Sequence, residues 1–186
     1  MTSIPTAETP QEACGVVGIF SENSKINIAP FCYLGLYALQ HRGQASAGMV
    51  TSDGNTLWQK KGLGLVPDVF GKDEIEELPG YGAIGHVRLA TDKDRHAVNT
   101  QPLAVRSAFG SLAIAHNGRL TNRNTLEAGL LQSGAMLQTD TDSEIILNLI
   151  AKSEETNLPK AVAKTLRLLE GAYALVILSQ DMILAA

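Results

Sequence analysis

Cys14-Gly15-Val16-Val17-Gly18-Ile19-Phe20 opens with a cysteine and continues as a short apolar segment punctuated by glycine. Glycines at 15 and 18 among apolar neighbours predict a buried strand that other backbone, or a ligand, approaches closely. Residues 1–13, ahead of it, hold two prolines, Glu8, Glu12 and no Lys or Arg. That is not the make-up of a secretory signal or a mitochondrial presequence, so the segment reads as a leader or propeptide. Its removal makes Cys14 the N-terminal residue. A free α-amine titrates near ~7.7–8.0, against ~10.4 for a lysine, so an N-terminal cysteine carries its own general base close to neutral pH. Cys14 is therefore a candidate nucleophile that needs no partner histidine.

The 186 residues, 45% of them hydrophobic, suffice for one well-packed domain over 14–186. A net charge of −4, with Lys60-Lys61 the one adjacent basic pair, leaves no footprint for nucleic acid. No run reaches the ~18–20 apolar residues of a membrane span. Two cysteines, Cys14 and Cys32, are too few for a disulfide framework or a four-thiolate metal site, which suits a reducing, cytoplasmic setting. His41, His86, His96 and His116 lack metal-ligand spacing, so no metal is expected on this chain.

Further along, Pro30 suits the first turn of a helix to about Gln40, with Phe31, Leu34 and Ala38 on its inner face and Cys32 in the core. Asp53-Gly54 marks a hairpin between strands near 49–51 and 57–61. Short helical pieces at 65–70 and 73–78 precede a strand over 82–88 that ends in Arg88. Strands at 103–105 and 111–115 follow, the second ended by His116-Asn117-Gly118. Asn122 is a candidate cap for a helix to about Gln132, and Thr139 to Glu144 supply start signals for the next. A helix over 158–169 and a strand over 172–178 complete the pattern, and 182–186 begins a hairpin partner. Antiparallel hairpins flanked by helices, rather than alternating βαβ units, predict an α+β fold with antiparallel sheets sandwiched between helices.

Four stretches carry a resemblance: Cys14 to Gly18; Leu39-Gln40-His41-Arg42-Gly43-Gln44 with the residues to Gly48; Gly85-His86-Val87-Arg88; and His116-Asn117-Gly118 with Thr141-Asp142-Ser143-Glu144. In this order they resemble the glutaminase domain of class II glutamine amidotransferases, members of the N-terminal nucleophile hydrolases. The resemblance implies a four-layer αββα sandwich in which leader cleavage frees the catalytic cysteine. It implies that Cys14 attacks the carboxamide of glutamine to give a thioester, and that the Asn117 side chain and the Gly118 N–H form an oxyanion hole. Arg88 then binds the α-carboxylate of the substrate, for which its fork suits better than a lysine. Asp142 accepts the α-ammonium group.

The Leu39 to Gln44 wording is closer to the branch that passes its ammonia to phosphoribosylpyrophosphate, giving 5-phosphoribosylamine for purine synthesis, than to the aminosugar synthases. Full-length members of that branch are expected to be homo-oligomers with a phosphoribosyltransferase domain that uses Mg²⁺. No acidic pair and phosphate loop of that kind occur in these residues, so the chain reads as a glutaminase half without a cofactor of its own, shortened at its C-terminal end. Alternatives are the glutaminase of an aminosugar synthase, or a non-catalytic glutamine sensor that keeps its leader. The family's small, glycine-bearing lid is replaced here by Leu89-Ala90-Thr91-Asp92-Lys93-Asp94-Arg95-His96.

Overall fold

The computed structural model describes residues 14–89 and 96–186. Its elements in chain order are β1 (Gly15–Phe20), α1 (Ala29–Ala38), a 3-10 turn (Gln40–Arg42), β2 (Ser46–Ser52), β3 (Leu57–Leu63), and the short helices α2 (Val66–Val69) and α3 (Lys72–Glu76). Then come β4 (Gly82–Arg88), a 3-10 turn (Ala97–Asn99), β5 (Leu103–Ser107), β6 (Gly110–Leu120), α4 (Arg123–Gln132), α5 (Asp142–Ala151), α6 (Leu158–Leu166), β7 (Gly171–Leu178) and β8 (Ile183–Ala185). The strands form two four-stranded sheets, ordered β1-β4-β2-β3 and β5-β6-β7-β8. All pairings are antiparallel.

Three apolar clusters define four layers. Ala29, Cys32 and Leu36 of α1 pack on Ala47, Met49, Ala83 and Val87 of the first sheet. Val50 and Ile84 of that sheet meet Ala113, Ala115, Val176 and Leu178 of the second. Leu112, Ile114, Leu175 and Ile177 then face Ile146, Leu147 and Ile150 of α5 and Ala161 and Val162 of α6. The arrangement is αββα, as expected. A strand covered on both faces has no use for polar alternation, and β2 is buried at all of its positions. Burial also pushes the Cys32 thiol up to about 12, so this cysteine is an inert core residue.

Three expectations need correction. Phe31, Leu34 and Ala38 are all exposed, the first two at 56% and 60%, while Ala29, Cys32 and Leu36 face the sheet. Residues 29–38 are apolar around the whole helix, so periodicity alone does not select the inner face. Close approach does: a Cβ on Gly35 would lie 3.1 Å from Val17 Cγ1 of β1, so the side with the small residues docks. The strand expected to end at 116–118 instead runs on to Leu120, because β7 pairs with it as far as Leu120↔Gly171. Asn122 does not cap α4 through its side chain. Its amide donates to Leu168 O at 2.8 Å and its Oδ1 accepts from Glu170 N at 3.2 Å, tying the start of α4 to the turn before β7.

Candidate active site

Cys14 lies just ahead of β1, the edge strand of the first sheet, which pairs with β4 from Gly15↔Val87. That pairing carries Cys14 to the end of β4, where its Sγ accepts a hydrogen bond from Leu89 N–H at 3.3 Å. Arg42, in the turn after α1, donates from Nε to Cys14 O at 3.4 Å. The same turn presses on β4 through Gly43, where a Cβ would stand 2.6 Å from the carbonyl carbon of Arg88 and 2.8 Å from its nitrogen. Glycine is required there by space alone. Ala45 N–H donates to Arg88 O at 2.9 Å, so Arg88 leaves the sheet from a fixed main chain.

The second sheet brings β6 to the same place. Gly118 has φ +131°, in the region that favours glycine, and a Cβ there would strike Ala172 O of β7. Asn117 is half-buried and Gly118 exposed. Asp142, the first residue of α5, accepts from Leu120 N–H at 2.8 Å and from Arg123 Nη1 at 3.1 Å, so its carboxylate is fixed against both β6 and α4. Arg123 also reaches Asp140 O at 2.8 Å and Glu127 at 3.4 Å.

Cys14, Arg88, Asn117, Gly118 and Asp142, the five residues singled out in the sequence, all line one cavity of about 840 Å³. Gln101, His116, Ser143 and Arg123 line it as well. A second cavity of about 480 Å³, between β3 and α3, is lined by Trp58, Lys60, Glu74 and Glu77 and contains none of the five.

Behind the larger cavity lies a buried polar network. His86 Nε2 donates to His116 O at 3.1 Å, and desolvation pushes the His86 ring down to about 3, so it is neutral at ordinary pH. Burial also lowers His116, opposed by the carboxylate of Asp142. His86 Nδ1 and His116 Nε2 have no hydrogen-bond partner among the described residues. His86 is directed at a main-chain carbonyl of the other sheet, which is the geometry of a structural tie rather than of a base paired with Cys14. Arg42, Gln101 and Arg123 were not legible as site residues: Arg42 lies within a recognised motif but acts on main chain, and the other two reach the site only through tertiary packing. Of the charged segment 89–96 read as a lid, residues 90–95 lie outside the described residues.

Comparison with known proteins adds the following. Residues 86–186 match the family model described as a glutamine amidotransferase domain. A chloroplastic amidophosphoribosyltransferase of Vigna aconitifolia is 43% identical over 183 residues, covering 98% of this chain and 37% of the relative. The amidophosphoribosyltransferase of Bacillus subtilis is 42% identical over 176 residues, covering 94% and 36%. The chain thus spans little more than a third of the length of these curated relatives. Among solved structures, glutamine phosphoribosylpyrophosphate amidotransferase from B. subtilis, complexed with ADP and GMP, superposes with a TM-score of 0.85 at 41% identity, covering 92% of this chain and 36% of that one. A structure titled as the allosteric regulatory enzyme of purine biosynthesis gives 0.86 at 41% identity, with the same coverage.

Proposed function

The chain belongs to the glutamine amidotransferase domain family, and from this premise we propose that it hydrolyses glutamine to glutamate and ammonia through a thioester on Cys14. In the longer protein the ammonia passes to phosphoribosylpyrophosphate, as the names of the relatives suggest, to give 5-phosphoribosylamine. The supporting observation is the convergence of Cys14, Arg88, Asn117, Gly118 and Asp142, drawn from both sheets and from α5, on one cavity.

Each residue supplies a different need of amide hydrolysis. With residues 1–13 removed, the α-amine of Cys14 takes the thiol proton as sulfur attacks the carboxamide carbon, and the same amine returns it to the departing ammonia. The carbonyl oxygen gains charge in the tetrahedral intermediate and accepts from Asn117 Nδ2 and the Gly118 N–H. Each such donor is worth roughly 3–4 kcal/mol in the transition state. Collapse breaks the C–N bond and leaves a thioester. Water then attacks it through the same oxyanion site, releasing glutamate and restoring the thiol. Arg42 holds the Cys14 carbonyl and thereby keeps the residue's main chain in place.

Arg88 grips the substrate carboxylate and Asp142 its ammonium group, a pair of charges that a glutamine within a peptide does not offer. Because Arg123 and Leu120 N–H already orient the Asp142 carboxylate, the acceptor is in place before substrate arrives. No helix among the described residues is long and apolar enough to cross a membrane.

The test joins intact mass to a glutaminase assay. Chain lacking residues 1–13 is expected to release glutamate, and Cys14→Ala to abolish release while leaving the fold intact by circular dichroism. Glutamine binding by a chain that keeps its leader and never forms a thioester would instead identify a sensor module.

A further inference from the structure

Gln101 is nearly buried, at 6% exposure, and stands at the back of the cavity. In the β5–β6 ladder Leu103 pairs with Ile114. Carried two residues further, that register sets Gln101 opposite His116. Pro102 has no N–H to donate, and β5 begins only after it. The side chain of Gln101 takes over where the strand is missing. Its Oε1 accepts from His116 N–H at 2.8 Å and its Nε2 donates to His116 O at 3.1 Å. A carboxamide has the donor and acceptor of a peptide unit, and here it supplies one rung of a ladder.

The rung is held from all sides. Lys61 Nζ of β3 donates to Thr100 O at 2.8 Å and Gln59 Nε2 to Pro102 O at 2.8 Å, fixing the main chain on both sides of Gln101. Gly48 of β2 leaves room for the Gln101 carbonyl, which any Cβ there would strike. On the far side, Ser143 Oγ donates to Gln101 Oε1 at 2.7 Å. His116 directly precedes Asn117-Gly118, and Ser143 directly follows Asp142. One side chain thus ties the strand bearing the oxyanion donors to the helix bearing the ammonium acceptor.

We propose that Gln101 is a positioning residue for glutamine hydrolysis, its carboxamide replacing a strand at His116 so that Asn117 and Gly118 are aimed before the oxyanion forms. The proposal rests on the glutaminase function inferred above. Donors that act on the transition state alone govern kcat, whereas the grip on the ammonium group contributes to KM. Gln101→Met fills the volume without hydrogen bonds and is expected to lower kcat at least tenfold, with KM changed less than threefold. Amide hydrogen exchange at His116 should quicken at least tenfold in the same variant, while Val50, in the core between the sheets, is unaffected.

Gln101→Glu serves as the conservative variant. Its protonated carboxyl donates to His116 O and accepts from His116 N–H and Ser143 Oγ as the amide does, but its carboxylate opposes His116 O. The groups facing it are His86 from β4, His116 from β6 and Ser143 from α5, with Arg88 and Asp142 on the same cavity. Burial raises such a carboxyl above its usual range, so the variant's kcat relative to wild type should fall as pH rises through that raised value. Unchanged kcat in Gln101→Met, or a flat ratio in Gln101→Glu, overturns the proposal, and if Gln101→Met does not fold the pH ratio decides alone. A wild-type chain that releases no glutamate overturns the glutaminase assignment. Hydrogen exchange then still decides whether Gln101 holds His116.

Discussion

Arg88 and Asn117 stand on different sheets and face one cavity, and they are expected to fail in different ways when altered. On the proposed mechanism Arg88 meets a carboxylate that is present in bound substrate and transition state alike, so its loss is expected to show in KM. Arg88→Lys keeps the charge but loses the planar fork, and we expect KM for glutamine to rise about tenfold, with kcat within about threefold of wild type. Asn117, in the oxyanion role proposed for it, meets an oxygen that is charged only once the thioester begins to form. Asn117→Ala is expected to lower kcat by about 10²–10³-fold with little change in KM, the loss of one oxyanion donor. Steady-state glutaminase kinetics on the two variants separate the roles. A KM effect from Asn117→Ala without a kcat effect would remove it from the oxyanion hole.

Between elements, the decisive contact is the turn after α1 against the end of β4. Gly43 is extended, so a side chain is excluded by position rather than by dihedral angle: the atoms 2.6–2.8 Å from its Cβ site belong to the main chain of Val87 and Arg88. Backbone cannot rotate out of the way. Gly43→Ala should therefore cost about 2 kcal/mol of stability, read from urea unfolding, and should raise KM for glutamine because Arg88 moves with its strand. This contact also shows how far sequence carries. The order of strands and helices was legible because glycine, proline and short polar turns separate apolar runs, and Cys14, Arg88, Asn117, Gly118 and Asp142 stand in recognisable local motifs. Residues 29–38 gave no inner face because they are apolar throughout, and the structure reverses the expected orientation of Phe31 and Leu34. Gln101 and Arg123 escaped for another reason: their partners lie 15–42 and 17–19 residues away, at His116 and Ser143 and at Asp140 and Asp142 respectively, and no local pattern encodes such pairings.

For the molecule as a whole, the stacking of two sheets makes the site and also sets its dependence on pH. His86 belongs to β4 and donates to His116 O of β6, so a single buried imidazole ties one sheet to the other. Desolvation holds it near 3 in the folded chain, whereas an unfolded histidine titrates near ~6.5. Between these values the unfolded chain binds a proton that the folded chain refuses. Stability from this group is therefore complete above about pH 6.5 and declines as pH falls toward 3, by on the order of 1 kcal/mol per pH unit. His116 is lowered too and acts in the same direction, with Asp142 opposing its shift. Carboxylates add their own losses, so wild type alone does not isolate the effect. His86→Gln can keep a donor for His116 O and cannot titrate. The variant is expected to be less stable than wild type at pH 7.5, where the imidazole packs best, and to lose less stability than wild type between pH 7 and pH 5. Urea unfolding at those pH values measures both slopes, and parallel slopes would mean that His86 accepts a proton without opening the seam between the sheets.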